Sequence, residues 1–456
     1  MANNKIVKSK ESNILFNKLG KEFAAIYNPE FIFPGYELVP LAPIIKAPIK
    51  GLKAVVMDMD GTTTTTEELC THSLEIMVRK ITGRLSSSQW SGLDHEKDYP
   101  NIIGNSTTKH VEYLIKKYGS GIVREELANS YIYAALWTLL IGQDDGRKAE
   151  VRTNMINLGL KDILTEKKYL ALQNISQVSS KKLNSLFKAL RSKYSPLFKG
   201  VTFNDLVKAS IDIYYQKYHE ILFQIDKGES KKLAAQFLGD KNKHLIEPMT
   251  GVPVFLALIK GLLGADVKFV INELINSFYD NPAAISGSEL KKIEKSIIKL
   301  SLNFEKKPAK VAVVTSSIHY EANIVLKEVF KVIHEEIEKW NLPAERKAKL
   351  LEHFSDHNRF YNAFITASDS NEIRLKPHRD LYSIALHQLD IPKNDFNQVI
   401  GLEDSESGTI AIRAAGVGLC VAVPFIKTTG HNFEAAAYVA NKGLSEIILK
   451  HNCFLK

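Results

Sequence analysis

The residues best suited to chemistry in this chain are two aspartates that follow a short apolar run. Residues 54–62 have the sequence AVVMDMDGT, in which four apolar residues predict a buried strand and Asp58 and Asp60 come directly before a Gly-Thr turn. In a parallel α/β sheet, chemistry is found where strands end and loops begin. Two carboxylates delivered there are a candidate nucleophile and acid/base pair, and also candidate ligands for a hard cation. The alternative is an Asp-Gly turn after an ordinary core strand.

A second apolar segment ends in hydroxyl groups, and a lysine follows further along the chain. Residues 310–317 have the sequence KVAVVTSS, so a buried strand would end at Thr315 and Ser316. A hydroxyl there could hold a phosphate group, or Thr315 could cap the helix that follows. Lys376 precedes a proline that restricts the local backbone. It could neutralise a phosphate, or it could be a solvated loop lysine.

A third apolar segment ends in an acidic pair. Residues 398–408 have the sequence QVIGLEDSESG, which places Glu403 and Asp404 at the end of a strand, either as metal ligands or as turn residues. Each segment alone has a simple explanation. The aspartates, the hydroxyls, the lysine and the acidic pair together indicate a site for a phosphate group and a divalent cation.

These motifs resemble the haloacid-dehalogenase superfamily of phosphohydrolases, especially the branch that holds β-phosphoglucomutase and phosphoglycolate phosphatase. The resemblance covers roughly residues 51–70 and 247–450. It implies a Rossmann-like three-layer α/β/α core with a parallel sheet, and a large inserted α-helical cap domain. It also implies a Mg²⁺-dependent phosphatase that acts on a small phosphorylated metabolite. The elements that carry the resemblance are Asp58–Thr62, Thr315, Lys376–Pro377 and Glu403–Gly408.

The resemblance also implies a role for each residue of the site. Asp58 would be the nucleophile that forms an aspartyl-phosphate, and Asp60 the general acid/base. Asp58, the main-chain carbonyl of Asp60 and Asp404 would bind Mg²⁺, with Glu403 beside them. The phosphoryl oxygens would be held by the side chains of Thr315, Ser316 and Lys376 and by the main-chain N–H groups of Met59 and Gly61.

The chain has 456 residues, which is long for one domain, so two or more compact units are expected. Residues 51–65 and 247–456 are predicted to form the catalytic core, with insertions near 265–308 and 335–360. Residues 1–50 are expected to wrap the core rather than to form a domain. Within that extension the pattern at 13–27 predicts a helix.

Residues 66–246 have apolar residues at helical spacing, which predicts a helical cap between two linkers. In the family, an insertion at this position closes over the substrate. Thr66 lies at the expected hinge, where its hydroxyl could bond to Asp60 or cap a helix. Residues 102–114 resemble the family's substrate-specificity loop, although an ordinary helix start is equally compatible. If this segment is a specificity loop, the residues that would face the substrate are Gly104, Asn105, Thr107 and Lys109.

Departures from the related sequences favour a phosphatase. The mutase branch usually has a basic residue where Thr107 stands and a lysine where Ile318 stands. The presence of Asp60 disfavours dehalogenase and phosphonate-cleaving chemistry, because those relatives lack the second aspartate. A β-phosphoglucomutase-like sugar-phosphate mutase is the first alternative. A non-enzymatic core with a partner-binding cap is the second.

Composition bears on the partners and the compartment. The net charge of +9 would attract anionic ligands, but the lysines lie on amphipathic helical patterns and no nucleic-acid module is present. The longest apolar run, 131–142, is too short to span a bilayer and predicts a buried helix. The N-terminus lacks the apolar core of a signal peptide, and Cys70, Cys420 and Cys453 have no metal-binding spacing. We therefore expect a cytoplasmic protein, a monomer rather than an oligomer, without nucleic-acid or membrane partners.

Overall fold

The computed structural model describes residues 8–28, 32–46, 48–49, 51–425, 428, 430–450 and 454. Cys453 and residues 1–7 of the predicted N-terminal extension lie outside them. The described chain divides into two compact units. The core unit contains the residues up to Thr65 and from Ile246 onward, and the helical unit is Thr66–Leu245.

The N-terminal segment of the core unit is a helix followed by a hairpin. Helix α1 (Ser9–Leu19) precedes the antiparallel strands β1 (Phe23–Tyr27) and β2 (Tyr36–Pro40). The helix predicted over 13–27 is therefore wrong beyond Leu19. Gly20 is a poor helix residue, and alternate residues of β1 are buried, which is the period of a strand.

A six-stranded parallel sheet forms the centre of the core unit. Its order is β5-β4-β3-β6-β7-β8, and every neighbouring pair is parallel. Because β3 lies between β4 and β6, the three strands that carry the predicted motifs end side by side at one edge of the sheet. The strands are β3 (Ala54–Asp58), β4 (Lys310–Val314), β5 (Ala363–Ile365), β6 (Val399–Glu403), β7 (Leu419–Ala422) and β8 (Tyr438–Val439).

The helical unit, all of whose residues are described, is built from α-helices and short 3₁₀ turns without a strand. Helix α9 has 24 residues and packs against α2, α4 and α5, while most of the apolar run 131–142 is buried in α5. In the described chain no helix is both long enough and apolar enough to cross a membrane. The helices are α2 (Glu67–Thr82), α3 (Tyr99–Ile102), α4 (Thr107–Tyr118), α5 (Arg124–Leu140), α6 (Asp145–Asn157), α7 (Lys167–Gln173), α8 (Ser180–Tyr194), α9 (Phe203–Asp226) and α10 (Ser230–Phe237).

The remaining helices belong to the core unit. The two predicted insertions are helical, since 265–308 contains α12 and α13, and 335–360 contains the end of α14 with α15 and α16. These helices are α11 (Val252–Ile259), α12 (Ile271–Phe278), α13 (Gly287–Lys306), α14 (His319–Lys339), α15 (Ala344–His353), α16 (His357–Phe360), α17 (Asp380–Gln388), α18 (Glu406–Ala414) and α19 (Leu444–Leu449).

Both faces of the sheet are covered. Val56 of β3 packs in a buried cluster with Tyr382 of α17 and Ile412 of α18. Val55 and Met57 point to the opposite face and are fully buried as well. A parallel strand buried on both faces is expected between two helical layers. The predicted three-layer α/β/α core with an inserted helical unit is therefore confirmed.

Candidate active site

Asp58 is the last residue of the central strand β3, and its side chain is buried. Its Oδ1 atom accepts a hydrogen bond from the ammonium group of Lys376. Its Oδ2 atom is buried and has no hydrogen-bond partner among the described residues. Burying a carboxylate oxygen without a partner is costly, so such atoms in native structures need an explanation. A ligand at Oδ2, either a cation or a phosphoryl group, would supply one.

The main chain after Asp58 is fixed by a tight turn. The N–H of Met59 donates to the carbonyl of Val314 at 3.2 Å, and the N–H of Gly61 donates to the carbonyl of Thr64 at 2.9 Å. Gly61 has φ of +86°, and a Cβ atom there would lie 2.4 Å from Oδ2 of Asp404. Glycine is therefore needed at this position. Both N–H groups already have carbonyl partners, and their role as phosphate donors stays a prediction.

Asp60 is held by hydroxyl groups that follow β4. Thr315 donates from Oγ1 to Oδ2 of Asp60 at 2.7 Å, and Ser317 donates from Oγ to the same atom at 3.3 Å. The alternative role of Thr315 as a helix cap is wrong, because Ile318 is the N-cap residue of α14. Ser317 was not predicted as a site residue. The phosphate-binding role of Ser316 stays a prediction.

Lys376 bridges the carboxylates of Asp58 and Glu403. Its Nζ atom lies 2.5 Å from Oε1 of Glu403, and its side chain is only 5% exposed, which excludes a solvated loop lysine. Burial by itself would lower the pKa of Lys376, but Asp58 and Glu403 raise it above its usual range. The ammonium group therefore stays charged and fixes one carboxylate oxygen of Asp58.

Glu403 is surrounded by hydrogen-bond donors. Its Oε1 atom accepts from Lys376 and from the hydroxyl of Tyr382 at 3.2 Å, and Oε2 accepts from the N–H and the hydroxyl of Ser405 at 3.0 and 2.8 Å. A Cβ atom at Gly408 would lie 1.7 Å from Oε1 of Glu403, so α18 can pass this carboxylate only with glycine there. Both oxygens of Glu403 are engaged, which suits a residue that positions Lys376.

The carboxylates of Asp58, Glu403 and Asp404 form a buried cluster that could hold a metal ion. One oxygen from each residue lies within 4.8 Å of the others. Mg²⁺ prefers oxygen ligands and needs only one or two carboxylates from a protein. Since Glu403 is engaged by other donors, the side chains that fit a cation best are those of Asp58 and Asp404. The buried Oδ2 atom of Asp58 gives independent support for this fit.

The predicted specificity and hinge residues belong to the helical unit. Thr107 is the first residue of α4, and its Oγ1 atom accepts a hydrogen bond from the Tyr215 hydroxyl at 3.2 Å. Thr66 is the N-cap residue of α2, but its side chain makes no capping hydrogen bond. The hinge role of Thr66 stays a prediction, as does substrate binding by Gly104, Asn105, Thr107 and Lys109.

Several residues that contact the site were not predicted. Ser405 directly follows the acidic pair, so its position in the sequence could have identified it as a residue near the site. Thr63 donates from Oγ1 to the main-chain carbonyl of Asp58 at 2.5 Å, and it lies in a run of threonines with no distinguishing pattern. Tyr382 lies six residues after Lys376 and resembles an ordinary apolar position of a helix. Its contact with Glu403 depends on how α17 packs on the sheet.

The core unit is a parallel α/β sheet and the chain carries an inserted helical unit, as the sequence predicted. A parallel α/β sheet carries two aspartates at the end of its central strand, and a helical unit follows them directly in the chain. The end of a strand at which the strand order reverses is the usual site of chemistry in such sheets.

Comparisons with known proteins found only distant similarity, and only among solved structures. No protein-family model matches the chain, and no curated protein matches it. Among solved structures, CbbY from Rhodobacter sphaeroides in complex with phosphate is 12% identical with a TM-score of 0.36, covering 85% of this chain and 93% of that one. β-Phosphoglucomutase from Clostridium difficile is 12% identical with a TM-score of 0.31, covering 88% and 97%. A HAD family hydrolase from Deinococcus radiodurans with bound phosphate and sodium is 12% identical with a TM-score of 0.36, covering 89% and 98%.

Proposed function

We propose that this protein is a phosphohydrolase that transfers the phosphoryl group of a small phosphate monoester to Asp58 and then to water, with Mg²⁺ as its cofactor. The observation that carries the proposal is the environment of Asp58. One of its oxygens is paired with Lys376, and the other is buried without a partner among the described residues. This arrangement orients a carboxylate and leaves it one oxygen for a ligand.

A phosphate monoester is negatively charged and unreactive, so the site must supply positive charge and an aligned nucleophile. In the first step a carboxylate oxygen of Asp58 bonds to phosphorus while the bond from phosphorus to the leaving oxygen breaks. Lys376 stays within reach of the phosphoryl oxygens, because Glu403 and Tyr382 hold the lysine from its other side. The product of this step is an aspartyl-phosphate and an alcohol.

Asp60 is the proton donor and acceptor of the proposed reaction. It gives a proton to the leaving oxygen in the first step and takes one from water in the second, when water attacks phosphorus and frees Asp58. Thr315 and Ser317 both donate to Oδ2 of Asp60, which fixes the orientation of this carboxylate. A fixed orientation is needed because proton transfer requires hydrogen-bond contact with the reacting oxygen.

Asp58 and Asp404 would hold Mg²⁺, together with the main-chain carbonyl of Asp60 that the family resemblance adds. When bound, the ion would neutralise charge on the phosphoryl oxygens. The contribution of the chain is to place two carboxylates at the ends of neighbouring strands in a buried cluster.

The test is phosphate release from p-nitrophenyl phosphate in the presence of Mg²⁺. The wild-type protein should release phosphate, and Asp58→Asn should retain less than about 1% of the rate, because an amide cannot attack phosphorus. Asp145→Asn is the matched control, since this aspartate is 94% exposed and lies in the helical unit. Circular dichroism verifies that both variants are folded. Residual turnover of more than a few per cent by Asp58→Asn would contradict the assignment of the nucleophile.

The same assay format separates the two alternatives. A sugar-phosphate mutase would convert β-glucose 1-phosphate to glucose 6-phosphate without net release of phosphate. A non-enzymatic binding module would show no Mg²⁺-dependent turnover across a panel of metabolite phosphates. Release of one phosphate for each substrate molecule consumed supports hydrolysis.

A further inference from the structure

A cleft in the helical unit is lined by none of the residues assigned to the chemistry proposed above. Its volume is about 1220 Å³, and it lies between α2, α5, α8 and α9, with the segment around 195–196 at its edge. All of its lining residues belong to the helical unit. Ligand sites in proteins are clefts of several hundred Å³ or more, with an apolar wall and a few polar groups. The lining of this cleft has both features.

The polar anchor of the cleft is Lys80, near the end of α2. Its Nζ atom donates to Oε1 of Gln216 at 3.1 Å and lies 5.7 Å from the centre of the Tyr133 ring. An ammonium group carries three donors, and an amide oxygen provides no counter-charge. Burial lowers the pKa of Lys80 to about 8, although Glu220 acts to raise it. An anion beside Lys80 would compensate for this loss of hydration.

The carboxylate that acts to raise the pKa of Lys80 is that of Glu220, and it already accepts hydrogen bonds from other residues. Glu220 accepts hydrogen bonds at Oε2 from Lys217 and from Gln216, both at 3.3 Å. Lys217 therefore competes with Lys80 for the charge of Glu220. A ligand that brings its own acidic group would give Lys80 a direct partner, and a charge-assisted hydrogen bond is stronger than one to a neutral amide.

The wall of the cleft beside Lys80 is aromatic. The rings of Tyr133 and Phe187 pack edge to face, with centroids 5.5 Å apart and an angle of 87° between their planes. Ile76 and the 67% exposed side chain of Leu85 also line the cleft. Covering such aromatic and aliphatic surface with a ring or an apolar group removes it from water, which lowers the free energy of the complex.

We propose that this cleft is a second ligand site, which binds a small organic anion. The acidic group of the anion pairs with Lys80, and its aromatic or apolar body packs against Tyr133 and Phe187. Carboxylates, sulfonates and phosphate esters that carry a ring share this chemistry. Its lining includes no residue assigned to the phosphohydrolase reaction, so the binding tests below stand or fall independently of that proposal.

The first test measures binding of anilinonaphthalene sulfonate to the folded full-length protein by fluorescence titration. We expect saturable binding at one site for each chain, and a dissociation constant that rises at least about tenfold in Lys80→Met, because a charge-assisted hydrogen bond is lost. Lys232→Met is the matched control, since this lysine of the helical unit is 65% exposed and does not line the cleft. Equal affinity in wild type and Lys80→Met would overturn the proposal.

The second test uses only wild-type protein and so does not depend on how a variant folds. N-Phenylnaphthylamine has the same aromatic body as the first probe but no sulfonate. We expect it to bind at least about tenfold more weakly than the sulfonate, because it cannot pair with Lys80. Equal binding of the two probes would show that the cleft has no preference for anions and would overturn the proposal. Failure of the sulfonate to saturate would do the same.

Discussion

Lys376 forms hydrogen bonds with the carboxylates of both Asp58 and Glu403, and the two carboxylates differ in which of their oxygens remain available to a ligand. Asp58 contributes one oxygen to Lys376 and keeps the other for a ligand, whereas both oxygens of Glu403 are engaged by donors. A phosphoryl group that reaches Asp58 can draw on the charge of Lys376 while Glu403 continues to hold the lysine. In the proposed reaction Glu403 is thus a positioning residue, and Asp404 is the member of the acidic pair that would bind the cation.

Asp404→Asn should therefore change the metal requirement. We expect the Mg²⁺ concentration for half-maximal activity to rise at least about tenfold, because an amide oxygen is a weaker ligand than a carboxylate oxygen. Glu406→Gln is the matched control, since Glu406 accepts a hydrogen bond from Asn432 instead of joining the cluster. The rate is measured against Mg²⁺ concentration after treatment with EDTA. An unchanged requirement in Asp404→Asn, or full activity in EDTA, would contradict the metal assignment.

Tyr382→Phe tests the support behind Lys376. The Tyr382 hydroxyl donates to Oε1 of Glu403, and its ring centre lies 5.3 Å from Nζ of Lys376. Phenylalanine keeps the packing and removes one donor, so kcat should fall about three- to tenfold, in line with one buried hydrogen bond, while KM for p-nitrophenyl phosphate changes little. The loss should appear in single-turnover phosphorylation of Asp58. A variant that loses thermal stability but keeps kcat would show that Tyr382 is structural only.

At the scale of secondary-structure elements, strand ends bring the core site together. The predicted specificity residues lie in helix α4 (Thr107 and Lys109) or just before it (Gly104 and Asn105). The core positions are rigid because β3, β4 and β6 are neighbours with a defined parallel register, in which Asp58 lies opposite Val314. Helix α4 is held in the helical unit by its buried face, which includes His110. The stability of α4 should therefore depend on the charge of this histidine.

Burial lowers the pKa of His110 from 6.5 to about 4. The folded protein keeps the imidazole neutral, while the unfolded chain takes up a proton near pH 6.5. The stabilisation is therefore complete above pH 6.5 and is lost as the pH falls towards 4. We expect His110→Phe to flatten the decline in unfolding free energy between pH 6.5 and 4.5 by up to about 2–3 kcal/mol. Denaturant unfolding at several pH values measures this, and an identical pH dependence in both proteins would refute it.

At the scale of the whole chain, the N-terminal segment is tied to the core unit next to the site. Arg413 lies in α18, the helix that follows the acidic pair, and is only 2% exposed. Its guanidinium donates from Nε to the carbonyl of Ala42 at 2.9 Å and pairs with Glu22 at 2.5 Å. Ala42 in turn donates its N–H to the carbonyl of Arg413 at 3.0 Å. The segment thus supplies both the acceptors and the cover that a buried guanidinium needs.

Arg413→Met should loosen this attachment. The carbonyl of Ala42 would lose its charged donor, and we expect the free energy of unfolding to fall by about 2–3 kcal/mol. Cleavage by subtilisin near residues 41–46 should become faster, as mass spectrometry of the fragments would show. Arg359→Met is the matched control, because this arginine is 86% exposed. Equal cleavage rates in wild type and Arg413→Met would mean that the segment is held by other contacts.

Much of the core and of the site was predictable from the sequence, because the relevant patterns are local. Four consecutive apolar residues make β3 recognisable, with Asp58 at its end and Asp60 two positions later. The same holds for the hydroxyls after β4 and the acidic pair at the end of β6. Helical spacing likewise identified the inserted unit. Parallel strands bring their carboxyl ends to one edge, so local motifs could be combined into one site without knowledge of the packing.

The remaining features depend on contacts between residues far apart in sequence, and only the tertiary structure decided them. The strand at Phe23–Tyr27 exists because it pairs with Tyr36–Pro40, and its own residues had suggested a helix. The contact of Glu403 with Tyr382 became known only once α17 was placed on the sheet. The cleft around Lys80 likewise requires several helices to converge. The sequence alone shows how residues are spaced along the chain. Burial and hydrogen-bond partners depend on which surfaces come into contact, and only the tertiary structure shows that.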